Sequence, residues 1–215
     1  MKQATPITTL FLDIGDVLLT DGWDHLARKR AATVFKLDLA EINERHNLTF
    51  ETFEDGRLTL DEYLGLVVFY QKRSFTRSRF SQFMFEQSKP CPGMIELFAH
   101  LKSRHGLKII ALSNEARELN AYRIRAFKLN ALIDAFVSSC FVQIRKPDPA
   151  IFKLALDIAQ VPERKIVYID NTPMFVHIAE SLGIRSIHHT NYESTCARLA
   201  ALGLNKDKEV THGTR

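Results

Sequence analysis

Three short apolar runs in this chain end abruptly in polar or acidic residues, and that pattern leaves few folds open. Thr8 to Leu12 runs into Asp13, Leu107 to Leu112 into Ser113 and Asn114, and Lys165 to Ile169 into Asp170 and Asn171. The runs are nearly continuous in β-forming apolar residues instead of alternating, as expected of strands covered on both faces in a parallel sheet. Helical patterns separate them. Pro92 to His105 sets Ile95, Leu97, Phe98 and Leu101 on one side. Asp148-Pro149 reads as an N-cap with proline at the first helical position, leading into Ala150 to Leu156. Phe175 to Leu182 stops at Gly183, a C-cap signal, before the strand Ile184 to Ile187. Strands alternating with helices predict an α/β fold: a doubly wound parallel sheet with a Rossmann-type core.

Residues 20 to 90 break that rhythm. They read as amphipathic helices, with Asp55-Gly56-Arg57 as a turn and Thr59 to Glu62 as a helix start. The expected organisation is an α/β core from 1–19 and 91–204, a helical cap at 20–90 inserted over the carboxyl edge of the sheet, and a loose polar tail at 205–215. The 215 residues hold that and no more. Lys+Arg 29 against Asp+Glu 25 leaves a surplus too small and too dispersed to argue for nucleic acid. Cys91, Cys140 and Cys196 lie far apart, which fits a reducing compartment and excludes a disulfide framework or a zinc ribbon. The first residues read as neither signal peptide nor membrane span. A soluble, cytoplasmic protein without nucleic-acid or membrane partners is expected. Its oligomeric state is not legible.

Ligands of open α/β sheets bind beyond the carboxyl ends of the strands. Asp13, Ser113, Asn114, Asp170 and Asn171 all fall at such ends, so they converge although far apart in sequence. Lys146, in Arg145-Lys146-Pro147-Asp148, precedes a helix and reaches the same crevice from the side. Two carboxylates, a hydroxyl and an ammonium around one point suit chemistry on a phosphate: one carboxylate attacks while ammonium and hydroxyl hold the phosphoryl oxygens. A hard divalent cation shared by the carboxylates would offset repulsion between nucleophile and substrate.

Four pieces, in order, carry a family resemblance: Phe11 to Leu18, Leu112 to Asn114, Arg145 to Phe152, and Tyr168 to Asn171 followed by Ser181 to Ile184. From Thr8 to about Gly203 the chain resembles the haloacid dehalogenase-like hydrolase superfamily, and Phe53 to Thr59 resembles the cap that its phosphatase and dehalogenase branches insert after the first strand. The resemblance implies that Asp13 is the nucleophile forming an aspartyl-enzyme intermediate. Ser113 and Asn114 would bind the phosphoryl group of a small phosphorylated substrate, and Lys146 would pair with both nucleophile and phosphate. Mg²⁺ would be held by Asp13, the Gly15 carbonyl, and Asp170 or Asn171.

The chain also departs from the family pattern. The family's phosphatases carry a second Asp two residues after the nucleophile, which protonates the leaving oxygen; here Gly15 stands there, and Asp16 is not an evident replacement. Counting back from Gly183 puts Asn171 where the family's metal-binding Asp falls, and Phe175 where Asp or Asn is common. Branches resembling α-D-glucose-1-phosphate phosphatase also carry Asp-x-Gly, and by that resemblance a sugar phosphate bonded at its anomeric carbon, a better leaving group than an alkyl phosphate's, is the substrate suggested. A Mg²⁺-assisted phosphatase is the leading expectation. A catalytically weakened binding or regulatory protein is the alternative, and 2-haloacid dehalogenation a lesser one.

Three further features are read as structural. The basic stretch Gln71 to Phe80 is expected to be a solvated face over buried Phe75 and Phe80. Trp23 and the run Phe80, Phe83, Phe85 are expected to pack the insert, although Trp23 is also a candidate for substrate selection. His188 and His189, adjacent on a strand, point to opposite faces and cannot easily chelate one ion.

Overall fold

The computed structural model describes residues 6–205. Five parallel strands, β1 (Thr9–Leu12), β2 (Lys108–Ser113), β3 (Ala135–Ser138), β4 (Ile166–Asp170) and β5 (Arg185–His188), form one sheet in the order β3-β2-β1-β4-β5. Both faces are covered, which is why the strands read as continuous apolar runs. Leu10, Leu12, Ile109 and Ile169 pack on α5 (Pro92–His105) and, through Leu199, on α10 (Tyr192–Ala201). Phe11, Ile110, Leu112 and Tyr168 point the other way, onto α8 (Pro149–Ala159) and α9 (Pro173–Ser181).

The expected caps are present. Asp148 accepts from the Ala150 N–H at 2.8 Å ahead of Pro149, and Gly183, at φ +80°, follows the last turn of α9. The helix expected from Phe175 starts two residues earlier, at Pro173, which fills the first helical position. Edge strand β3, the helix α6 (Arg117–Ala126), the short α7 (Ser139–Val142) and α10 had no expectation attached. β3 is four residues long, with two of the four only partly buried, so its apolar signal is weak.

Between β1 and α5 the chain builds α1 (His25–Phe35), α2 (Leu39–Glu54), α3 (Leu60–Val67) and α4 (Arg77–Glu86) around a cluster that includes Trp23, Phe35, Phe53, Tyr63 and Phe80, with Ala116 and Leu119 of the α6 region packed against it. The expected helix start at Thr59 is a full capping box: the Thr59 hydroxyl accepts from the Glu62 N–H, and the Glu62 carboxylate accepts from the Thr59 N–H. The basic stretch lies on the insert's surface, where Arg73 stacks 5.0 Å over Tyr70, Arg77 5.0 Å over Phe69 and Arg79 5.6 Å over Phe35. The connections at either end of the insert are bonded to each other, Thr20 N–H to the Lys89 carbonyl at 2.8 Å and the Thr20 hydroxyl to the Gln87 carbonyl at 2.9 Å. Buried Arg123 of α6 clamps this junction, donating to Ser88 Oγ at 3.0 Å, to the Thr20 carbonyl and to Glu115. Among the described residues, no helix is long and apolar enough to cross a membrane. The expected loose tail from 206 onward lies outside the described residues.

Candidate active site

The strand order reverses between β1 and β4, and Asp13 emerges there with its N–H bonded to the Ile169 carbonyl at 3.0 Å. Lys146 is almost wholly buried, and its ammonium lies 3.1 Å from Asp13 Oδ1 and 2.6 Å from Asp170 Oδ2. A buried ammonium is tolerated because two carboxylates face it. The backbone of Lys146 is held from β2: the Asn114 carboxamide donates to the Lys146 carbonyl and accepts from its N–H, both at 2.8 Å. Asn114 therefore fixes the lysine across the sheet, besides lining the cleft. Ser113, the last residue of β2, is buried and lines the same cleft as Asp13, Gly15, Asn114, Lys146 and Asn171.

Asp170 takes a different place from its sequence neighbour. It is fully buried beneath the cleft, with Oδ2 accepting from Lys146 and Tyr168 and Oδ1 accepting from the Thr172 N–H at 2.7 Å. Both oxygens are engaged, so Asp170 anchors the lysine. Asn171 reaches the cleft and donates to Asp16 Oδ2 at 3.3 Å. Asp16 sits in the left-handed region at φ +51°, and its Oδ1 accepts from the Asp21 N–H at 3.1 Å. It thereby closes a small loop from Gly15 to Asp21. Phe175 places its ring 4.9 Å from the Lys146 ammonium, a cation–π contact where a polar side chain was the familiar choice. His188 bonds to the Asn171 carbonyl at 3.0 Å and His189 to Thr195 at 2.8 Å, so the two imidazoles have separate partners.

Burial is the largest influence on these charges. It pushes the Asp13 carboxyl above the usual carboxylate range, against the pull of the Lys146 ammonium, and Asp170 adds to the rise. The two carboxylates lift Lys146 above its ordinary value although burial acts the other way, so it stays charged. Desolvation and Asp170 together push the Tyr168 phenol well up, keeping it a neutral donor.

Several cleft residues carried no expectation. Arg145 pairs with Glu54 at 2.6 Å and Glu51 at 3.1 Å, tying α2 of the insert to the residue next to Lys146. Burial raises the Glu54 carboxyl, opposed by Arg145. Glu115 pairs with Arg123, and burial moves it up to about 7. Asp21 faces the cleft, and its carboxyl is raised first by the surrounding walls and then by Asp16. Arg145 and Glu115 adjoin Lys146 and Asn114, so proximity to a motif was their one sequence signal. Trp23 has the packing role expected of it and also borders an open space. It packs in the insert with Nε1 donating to Tyr63 Oη at 2.8 Å, and it lines an adjoining recess with His46, Phe50 and Phe53.

Among the described residues, no three His, Cys, Asp or Glu side chains are grouped to hold a metal. A cation here would draw on Asp13, the Gly15 carbonyl and the Asn171 amide oxygen, residues that share the cleft. This all-oxygen set with a single carboxylate fits a hard ion such as Mg²⁺, which keeps several of its waters.

A family model described as haloacid dehalogenase-like hydrolase matches residues 7–183. The chain is 30% identical over 129 residues to the phosphorylated carbohydrates phosphatase of Thermotoga maritima, covering 58% of this chain and 59% of that protein. It is 25% identical over 205 residues to flavin mononucleotide hydrolase 1 of Arabidopsis thaliana, covering 95% of this chain and 80% of that protein. The chain thus spans 59% of the length of the first of these relatives and 80% of the second. Among solved structures, a HAD family enzyme from Bacteroides thetaiotaomicron, in complex with magnesium and inorganic phosphate, superposes with TM-score 0.68 at 21% identity over 86% of this chain and 94% of that one. The L-2-haloacid dehalogenase of Xanthobacter autotrophicus superposes with TM-score 0.60 at 16% identity over 91% and 83%. At those identities the likeness is one of fold.

Proposed function

The chain belongs to the haloacid dehalogenase-like hydrolase family, and from that premise we propose that it is a Mg²⁺-assisted phosphatase of a small phosphorylated metabolite. The observation that carries this reading is the placement of Asp13 at the sheet's reversal point, 3.1 Å from a buried ammonium and in one cleft with Ser113 and Asn114. A carboxylate so placed attacks phosphorus, the ester oxygen leaves, and an aspartyl-phosphate on Asp13 is hydrolysed in a second step. Lys146 orients the Asp13 oxygen and takes up charge on the phosphoryl group, the Ser113 hydroxyl donates to it, and Asn114 keeps Lys146 in place. Mg²⁺ bound by Asp13, the Gly15 carbonyl and Asn171 would offset repulsion between two anions.

The names of two relatives, one a phosphatase of phosphorylated carbohydrates and one a flavin mononucleotide hydrolase, support a small phosphate ester as substrate. Residues 20–90 act as a cap, and the Arg145 pairs with Glu51 and Glu54 hold it over the cleft. Opening admits substrate and closure excludes water during transfer. Three free cysteines suit the cytoplasm.

The test is phosphate release from a panel of phosphorylated metabolites, sugar phosphates and flavin mononucleotide included, with Mg²⁺ or with chelator, beside Asp13→Asn. Mg²⁺-dependent release that falls at least about a thousandfold in the variant is the expected result. No release from folded protein would turn the reading toward a binding protein that holds its ligand without consuming it, and release unaffected by Asp13→Asn would remove Asp13 from the nucleophile's role.

A further inference from the structure

An alkoxide is a poor leaving group, so a phosphatase acting on sugar or alkyl esters needs a group that gives a proton to the departing oxygen. Gly15 has no side chain to do so. The carboxyls lining the cleft are Asp13, Asp21, Glu54 and Glu115. Asp13 is bound to Lys146, Glu54 to Arg145 and Glu115 to Arg123. Among the described residues, Asp21 alone of these has no ion-pair partner.

Its position is specific. A Cβ built on Gly15 would lie 2.6 Å from Asp21 Oδ1, so the carboxylate of Asp21 occupies the space that a side chain at position 15 would need. Two features hold it there: the Asp16 carboxylate accepts from the Asp21 N–H at 3.1 Å, and Gly22, at φ +79°, turns the chain against the Arg123 guanidinium. Asp21 also lines both the phosphate-side cleft with Asp13 and Lys146 and the aromatic recess with Trp23, His46 and Phe53. The two spaces share Asp21, Glu54, Asn114 and Glu115, so a group attached to a phosphate held at Asp13 would reach the recess past Asp21.

We infer that Asp21 is a catalytic residue that supplies, from six positions further along the chain, the proton-transferring carboxyl that Gly15 lacks. The inference rests on the phosphatase reading. In the first step an Asp13 oxygen bonds to phosphorus, the ester P–O bond breaks, and the Asp21 proton passes to the leaving oxygen, releasing the alcohol. In the second, water bonds to phosphorus while Asp21 takes its proton, the bond from phosphorus to Asp13 breaks, and inorganic phosphate leaves with Asp13 restored as carboxylate. The net change is ester plus water to alcohol plus phosphate, with Asp21 protonated again.

The experiment compares wild type with Asp21→Asn on two Mg²⁺-supported substrates, phenyl phosphate and 2,4-dinitrophenyl phosphate, the second of which needs no proton on its leaving group. We expect kcat/KM to fall about a hundredfold or more for phenyl phosphate and less than about tenfold for the dinitrophenyl ester. We also expect Asp21→Asn to release one equivalent of dinitrophenolate in a burst and then stall, with acid-quenched protein carrying one added phosphoryl group on Asp13. Equal slowing of both substrates without a burst would make Asp21 a structural residue, and unchanged rates would remove it from the reaction; both overturn the inference and leave the phosphatase reading standing. A folded wild type with no Asp13-dependent release from either ester overturns both together.

Discussion

The wall of the cleft built by the strand ends is charged and paired, whereas the insert adds Asp21 and Glu54 to the cleft and lines the adjoining recess with aromatic side chains backed by a neutral network. On the first wall, Lys146 sits between Asp13 and Asp170, and Tyr168 donates to Asp170. On the second, Trp23, His46, Phe50 and Phe53 line the recess, and the buried polar groups behind them, Trp23 Nε1, Tyr63 Oη and His46 Nδ1, satisfy one another at 2.8 Å each. On the proposed reading, the difference follows from what each wall would meet. A phosphoryl group has a fixed charge and shape, so fixed charges can be aimed at it in advance. The rest of a substrate has no such constant, and its wall works by shape and by exclusion of water.

If the charged wall is held by mutual compensation, removing its centre has the largest effect. Lys146→Met leaves Asp13 and Asp170 buried without a counterion, and the loss of one partner from a buried pair costs about 3–5 kcal/mol. Chemical denaturation in chelator should show that loss, and phosphate release should vanish. A variant within about 1 kcal/mol of wild type, inside the ordinary range for surface substitutions and mild core changes, would show that the carboxylates need no cation and that the contrast between the walls is overstated.

The same contrast explains what could be read from sequence. The charged wall stands on strand ends, where backbone geometry alone brings Asp13, Ser113 and Asn114 together whatever the loops do. Lys146 was legible because it precedes a proline-started helix. Asp170 and Asn171 were less legible because adjacent residues at a strand end diverge, and which one turns inward depends on the Tyr168 and Thr172 contacts. The insert wall was legible only as helices and caps. Which of its aromatics face the recess depends on how four helices pack on one another and on α6, and periodicity does not carry that information. Asp21 carried no expectation for a related reason: the role proposed for it depends on the side chain that Gly15 lacks, six residues away in a loop.

The neutrality of the network behind the recess gives the next prediction. Trp23 Nε1 donates to Tyr63 Oη, and His46 Nδ1 shares a hydrogen bond of 2.8 Å with the same phenol oxygen. Burial first, and the Arg28 charge second, hold the His46 imidazole down to about 3, against an ordinary value of 6.5. A base whose folded value is lowered gives stability that is present above the unfolded value and lost as pH falls through 6.5 toward the folded one. Between pH 7.5 and pH 5 the protein should lose about 2 kcal/mol from this residue. His46→Asn, which keeps an acceptor without a titrating ring, should lose that much less over the same range in denaturant titrations. Identical pH slopes in the two proteins would mean that the imidazole can be charged in place, and the network behind the recess would no longer be neutral.

The smallest effect tests whether the walls act separately. Helix α3 has eight residues, too few to be stable alone, and it carries Tyr63 into the recess's supporting network. Its start is held by the Thr59–Glu62 capping box and, from the sheet side, by Glu118 of α6, which accepts from the Leu60 N–H at 3.0 Å. Thr59→Ala removes the hydroxyl that accepts from the Glu62 N–H, at a cost of about 1 kcal/mol. The loosened helix shifts Tyr63, and with it Trp23, while Asp13, Lys146 and Ser113 stay on their strands. KM for a metabolite that fills the recess should therefore rise several-fold with kcat nearly unchanged, the signature of lost uniform binding. A fall in kcat at constant KM would mean that the insert reaches the reacting atoms through more than substrate binding, and the two walls would have to be treated as one.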